Sequence, residues 1–242
     1  MGRGRGRTDG WVVVSPGRGL AGARLTTWLR GGLGGAVVPL GPRPVEPLVL
    51  YEFEACPFCR RVREAISALD LIVRVRPCPK GGTRFREEVE GRGGRLQFPF
   101  LVDPNTGDAM YESSEIVAHL FARYGRGPVP RSMRGGVLRT LALVASGLGR
   151  GVAGSRVRAS RVPAEPLELH AFEASPAGRL VRERLCELEL PYVLMSAAPG
   201  SARHRAGSLP RLIDPNHAGL ELVGADPITR HLEQGYALGA RP

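Results

Sequence analysis

The sequence predicts an α/β chain of two tandem modules, each a mixed sheet with the order strand, helix, strand, then strand, strand, helix. Three observations carry that prediction. An apolar alternating run, Leu48-Val49-Leu50-Tyr51-Glu52-Phe53, precedes Glu54-Ala55-Cys56-Pro57-Phe58-Cys59-Arg60-Arg61. Val62, Ala65, Ile66 and Leu69 then follow at spacings of three and four. Alternation marks a half-buried strand, and the longer spacing marks an amphipathic helix. The third observation is repetition: Glu46-Pro47-Leu48 recurs as Glu165-Pro166-Leu167, and Phe53-Glu54-Ala55 as Phe172-Glu173-Ala174. Arg60, Val62, Arg63 and Glu64 recur as Arg179, Val181, Arg182 and Glu183, all at an offset of 119.

The remaining elements of the first module, 46–126, follow in order. Residues 71–76 are rich in β-branched side chains, and Arg74 and Arg76 alternate with Val73 and Val75 as one solvated strand face requires. The polar, Gly-rich stretch 80–94 is expected to hold a short helix around 85–89. A strand at 98–102, a turn at 103–107 and a strand at 109–111 come next. The last helix runs from Ser113 to Tyr124, with Ser113 as its N-cap. Past a deletion of eight residues before Pro210, Asp103-Pro104-Asn105 returns as Asp214-Pro215-Asn216 and His119-Leu120 as His231-Leu232. The second module is therefore placed at 165–237. It lacks the thiols, since Ser175 and Gly178 stand at the positions of Cys56 and Cys59, and Gly224-Ala225 at those of Glu112-Ser113.

Residues 1–45 and 127–164 flank the modules. The first segment holds seven Arg and one Asp, the second seven Arg and no acid, so the net charge of +11 lies outside the modules. A nucleic-acid surface would set basic residues among aromatics on the fold itself, so no nucleic-acid partner is expected. The Arg-rich, acid-poor start resembles an organelle transit peptide or a flexible basic extension, ordered in part around 25–33. Residues 127–164 read as a linker with an apolar helix at 137–145, too short to span a membrane. No transmembrane segment is expected.

Cys56 stands where a strand hands over to a helix, and Pro57 suits the first helical turn. Free N–H groups and the positive end of the helix dipole favour a thiolate there, and Arg60 and Arg61 are expected to add to the effect. A Cys-x-x-Cys pair can close a small ring or present one exposed thiolate, and Cys59, one turn in, is the resolving thiol. Zinc would need two further ligands at matching spacing, and no metal site is assigned. Inert buried thiols are the other alternative, the reading preferred for Cys186 and, with a regulatory thiol as the rival, for Cys78. Without a secretory signal, four cysteines point to a reducing compartment.

A strand–Cys56-Pro57-Phe58-Cys59–helix, the aromatic-Pro strand start Phe98-Pro99 and the pair Glu112-Ser113 opening a later helix together resemble the thioredoxin superfamily. Glutaredoxins and the N-terminal domain of glutathione transferases are the branch they look most like. The span 46–237 resembles a tandem-module group of plants, algae and cyanobacteria whose eukaryotic members look plastid-targeted, which implies a chloroplast location, or otherwise the cytoplasm. The resemblance implies Cys56 as attacking thiolate and Cys59 as its resolving partner. It implies a cis bond before Pro99, with the Phe98 backbone beside the thiol to pair glutathione, and Glu112 and Ser113 holding its γ-glutamyl end. On spacing alone, helix capping for Glu112 and Ser113 and a strand-edge proline for Pro99 stay open. The implied activity is a glutathione-dependent thiol–disulfide oxidoreductase, with glutathione as cosubstrate and thiol or disulfide proteins or small molecules as partners. A glutathione-transferase-like enzyme and a non-catalytic binding module are the alternatives. Iron–sulfur binding through Cys56, known in glutaredoxin relatives, finds no argument in the sequence.

Overall fold

A computed structural model describes residues 16–29, 31–134 and 153–239; the apolar stretch 137–145, expected as a connecting helix, lies outside them. After α1 (Pro16–Leu29), the first half runs β1 (Leu48–Glu52), α2 (Pro57–Ala68), β2 (Ile72–Pro77), α3 (Arg86–Gly93), β3 (Phe100–Asp103), β4 (Asp108–Met110) and α4 (Ser113–Tyr124). The second half runs β5 (Leu167–Ala171), α5 (Pro176–Glu187), β6 (Tyr192–Ser196), β7 (Arg211–Asp214), β8 (Leu220–Val223) and α6 (Ala225–Tyr236). The strand expected from residue 98 starts at Phe100, after the Phe98–Pro99 bond, because Pro99 has no N–H to give a ladder.

All eight strands form one mixed sheet, in the order β4-β3-β1-β2-β6-β5-β7-β8. Within each half the first two strands are parallel, whereas β2 and β6 meet antiparallel, with Val73 opposite Leu194 and Arg74 opposite Val193. Each half thus lends an edge strand to the other, and the free edges left are β4 and β8, only three and four residues long. Short edges give little template for further pairing.

Helices α2 and α4 of the first half, and α5 and α6 of the second, cover one face of the sheet. One core runs beneath them, with Leu48, Leu50, Ile66 and Leu120 contiguous with Leu167, Leu169, Leu185 and Leu232. The opposite face is treated differently in the two halves. Helix α3 covers it in the first, burying Tyr51, Cys78, Phe85, Val89 and Phe100. The second half carries no such helix among the described residues. There His170 and Arg211 pair across β5 and β7, as Tyr51 and Phe100 pair across β1 and β3, and Glu168 takes the place of Val49. His170 bonds Glu168 at 2.6 Å and Arg211 at 2.9 Å. These polar side chains satisfy one another where the first half buries aromatic ones beneath α3.

The segment ahead of Glu46, expected as an extension, is packed against both halves in its described part. Thr27 Oγ1 donates to Ala174 O, Val37 N to Pro199 O and Val38 N to Ala68 O. Gly34 (φ 75°) lies so close that a Cβ there would stand 3.0 Å from Cβ of Glu173 and 3.1 Å from Cα of Glu64. Gly154 (φ 70°), ahead of the second half, has the mirror relation: 2.8 Å from Cβ of Glu54 and 3.3 Å from Cα of Glu183. Both positions need the left-handed backbone and the missing side chain.

Between α2 and α5 the halves meet in a buried ionic cluster. Glu173 receives Arg63 Nε at 3.0 Å and Arg182 at 2.8 Å, with Arg60 at 3.5 Å. Glu54 receives Arg182 Nε at 3.1 Å and Arg63 at 3.2 Å, with Arg179 at 3.8 Å. Arg60 and Arg179 also pair with Glu64 and Glu183 one turn along their own helices, and Arg63 bonds Glu52. All nine side chains are buried. Five carboxyls face four guanidiniums, and Glu52 and Glu173 are driven in opposite directions. Burial pushes the Glu52 pKa up to about 7, against the pull of Arg63. Glu173 goes the other way: burial alone would raise its pKa, but Arg182, Arg63, Arg60 and Arg179 bring it to about 2.

Candidate active site

Cys56 is the N-cap of α2 (φ −72°, ψ 120°), with Pro57 in the first turn. Its backbone N donates to Phe53 O at 3.0 Å, closing the turn out of β1, and its Sγ accepts the backbone N–H of Cys59 at 3.3 Å. Cys59, directly one turn in, is fully enclosed. The two thiols divide the titration between them. The Cys59 thiol and the backbone N–H groups of Cys59 and Phe58 donate to the Cys56 sulfur and hold its pKa below the ordinary thiol value, although burial opposes them. Burial, and then that same hydrogen bond, push Cys59 well above it. Burial also raises Cys78 and Cys186. Cys56 is therefore the one sulfur of the four whose surroundings favour the thiolate over the thiol.

Two expectations about this sulfur need correction. Rather than projecting as an exposed thiolate, Cys56 is 5% accessible, while its neighbour Phe58 is 44% exposed at the rim. Arg60 and Arg61 do not face it either. Arg60 turns into the ionic cluster, where burial lowers its pKa to about 10, and Arg61 donates to Met133 O at 3.1 Å. Backbone N–H groups and the Cys59 thiol, not these arginines, lower its pKa.

The other predicted residues sit on the loop and helix that follow α3. The Phe98–Pro99 bond is cis, as expected, and so is Leu209–Pro210. The Phe98 ring meets Phe53 edge-on, with centroids 6.0 Å apart, and Arg86 lies over it at 5.1 Å. Phe53, three residues before Cys56, thereby ties the Phe98 loop to the thiol turn. On the far side of that loop, Gln97 Nε2 donates to Glu112 Oε1 at 2.7 Å.

Ser113 is not the N-cap of α4; Glu112 is, without a side-chain capping bond, and Ser113 is the buried first helical residue. Glu112 has φ 59° and ψ 108°, a conformation costly for a residue with a Cβ, and its side chain is half exposed. In the second half this position is Gly224, at φ 93°. Capping therefore does not explain Glu112. The half with the thiol pair holds a carboxylate on unfavourable backbone, and the half without it has glycine there. Ser175 occupies the Cys56 position as N-cap of α5, its Oγ accepting from Gly178 N at 3.0 Å.

A pocket of about 360 Å³ opens beside α2 and α4, lined by Arg61, Ser114, Val117, Ala118, Val129 and Met133 among others. Sequence reasoning missed it, as it missed a gathering of Asp214, His217 and His231 in the second half. The signal for the latter was an Asp-x-x-His turn with a second His on the final helix, which a search for Cys or His pairs at finger spacing passes over. No helix among the described residues is long and apolar enough to cross a membrane.

No curated protein and no solved structure matches the chain. Residues 50–128, about a third of it, match the family model of the glutathione S-transferase N-terminal domain, so the stretch from β1 through α4 carries a thioredoxin-like α/β fold.

Proposed function

We propose that the chain is a glutathione-dependent thiol–disulfide oxidoreductase that works through Cys56, with the two halves as copies of one thioredoxin-like module. The observation that carries this reading is the placement of Cys56 as N-cap of α2 with its pKa lowered, alone among the four cysteines. The family match at 50–128 supports glutathione as the cosubstrate. Glutathione would lie along the Phe98-Pro99 backbone, its γ-glutamyl carboxylate at the start of α4 by Glu112 and Ser113, where unpaired N–H groups favour an anion.

In the proposed cycle the Cys56 thiolate attacks the glutathione sulfur of a mixed disulfide. The bond to the substrate breaks, the substrate leaves as a thiolate that takes a proton from water, and Cys56 is joined to glutathione. A second glutathione thiolate then attacks the glutathione sulfur of that adduct, releasing glutathione disulfide and the Cys56 thiolate. Cys59 can instead attack Cys56, closing the ring and releasing glutathione. Because its pKa is raised, Cys59 is a thiol at neutral pH, which favours the glutathione route. The second half, with Ser175, Gly178, Gly224 and Ala225, serves as scaffold.

One observation favours a second reading, transfer of glutathione to an electrophile: the pocket beside α2 and α4 could house an apolar acceptor. Assays of a glutathionylated peptide and of an electrophile separate the two. Reduction by the wild type, none by Cys56→Ser and partial activity in Cys59→Ser are the expected results. Conjugation without reduction would replace the first reading by the second.

A further inference from the structure

The last turn of the second half has a feature that the first half lacks. Asp214 ends β7 with its Oδ1 fixed by Asn216, accepting the backbone N at 2.9 Å and Nδ2 at 3.0 Å. Its Oδ2 meets His217 Nδ1 at 2.9 Å, His231 Nε2 at 2.7 Å and the Tyr236 hydroxyl at 2.7 Å. The first half repeats this arrangement with one group fewer. Asp103 Oδ1 is fixed by Asn105, and Oδ2 meets His119 Nε2 at 2.8 Å and the Tyr124 hydroxyl at 2.6 Å. Thr106 stands where the second half has His217. Holding the turn to the last helix therefore takes one imidazole, and His217 is surplus to that task.

From Asp214, His217 and His231 one ligand atom each can be drawn so that all three lie within 4.8 Å of one another. The carboxylate is wholly buried, His231 is 14% exposed and His217 is 44% exposed. The set thus has a fixed floor and one open side through which an ion and its water can enter. Metal–nitrogen and metal–oxygen bonds of roughly 2.0–2.2 Å need a donor spacing that small outward shifts of the two rings supply. Two imidazoles and one carboxylate suit a first-row divalent ion such as zinc rather than calcium or magnesium, which favour all-oxygen sites. Tyr236, which keeps its bond to Asp214, would orient the carboxylate from behind.

We propose that Asp214, His217 and His231 form a zinc-binding site in the second half, open to solvent on the His217 side. The site is independent of the thiol chemistry, since four strand spacings, roughly 19 Å of sheet, separate β7 from β1. Binding needs no proton loss from neutral imidazoles. The ring protons that now face Oδ2 move to the opposite nitrogens, and the freed lone pairs turn to the ion.

The test uses the full chain with Cys56→Ser and Cys59→Ser, so that the thiol pair cannot hold metal. Zinc is titrated by calorimetry, and cobalt by its visible absorption, at neutral pH. One ion per chain is expected, with cobalt bands that lack a sulfur charge-transfer component. His217→Thr, which installs the first half's residue, should weaken binding more than about tenfold. In metal-free buffer it should leave the melting temperature unchanged, and zinc should raise that temperature only where His217 is present. Absence of saturable binding, or binding that survives His217→Thr undiminished, would overturn the assignment.

Discussion

Glu173→Gln tests how the halves are joined. The substitution keeps the volume and removes one charge from a side chain that is 3% exposed and faces Arg63, Arg182 and Arg60. Breaking a buried ion pair by neutralising one partner costs about 3–5 kcal/mol, because the other charge stays desolvated. For a chain of this size that corresponds to a melting temperature lower by roughly 6–20 °C. Glu52 modulates the loss. With its pKa at about 7 it is protonated in mildly acidic buffer and cannot replace the lost charge, whereas above neutrality it ionises against Arg63 and recovers part of it. The loss should therefore be greater at pH about 5 than at about 8. Urea unfolding followed by far-UV circular dichroism is the suitable assay, since Trp28 is 76% exposed and reports poorly on the core. Glu221→Gln is the control: its pair with Arg211, at 3.2 Å, is half exposed and should contribute under about 1 kcal/mol. If Glu173→Gln behaved like that control, or lost the same amount at both pH values, the account of the cluster would be wrong.

Other outcomes follow from the same geometry. Iodoacetamide should label Cys56 first in the native chain and leave Cys59 unlabelled; comparable labelling of both, read by peptide mass, would contradict the assigned pKa directions. Glu52→Gln should flatten the pH dependence of stability. A carboxyl whose folded pKa is raised above its unfolded value of about 4.5 contributes fully below that value, and its contribution fades as pH rises through about 7. Unfolding midpoints across that window for both proteins would show whether the slope disappears. Gly154→Ala should destabilise by more than about 1 kcal/mol, because it combines positive φ with a 2.8 Å approach to Glu54 Cβ, while Gly207→Ala, with positive φ and open space, should be milder. Ser175→Ala should leave disulfide reduction within about twofold, its hydroxyl serving only as a helix cap at the N-terminus of α5.

Much of this was legible because local rules and tertiary packing agreed. Alternation gave β1, and the three-and-four spacing with Pro57 gave α2 and with it the place of Cys56. The Ser113–Tyr124 helix was likewise written in its own periodicity, although its cap fell one residue earlier than residue preference suggested, since Glu112 holds a backbone that preference alone would not give it. What the sequence hid lies where charge is buried. Patterning treats Arg60, Arg63, Arg179 and Arg182 as solvent markers, and nothing in either half says that its charged helix face will meet the same face of the other. The offset of 119 showed these residues to be repeated; only the β2–β6 pairing shows why. Gly34 and Gly154 escaped notice for a related reason. Their partners, Glu173 and Glu54, lie across the junction, beyond any window read along the chain.

The junction also bears on why a half without thiols is needed. Standing alone, the first half would expose the whole edge of β2, whose residues 73 and 75 are buried and apolar, and Glu54, Arg60 and Arg63 would lose the share of their ion pairing that Glu173 and Arg182 supply. An open edge invites pairing with other chains, and an uncompensated buried charge is more costly than the pair it came from. The second half removes both problems with β6, Glu173 and Arg182, none of which requires a cysteine at position 175. Those contacts hold with serine at the α5 terminus and glycine at 224, so the junction demands neither a thiol nor a strained carboxylate there. The constraint that remains on the first half falls on Cys56, Cys59 and Glu112. Capping accounts for the backbone at Cys56 as it does at Ser175, whereas the positive φ of Glu112 has no such account, and it is between that carboxylate and the thiol pair that the chemistry of the chain is to be sought.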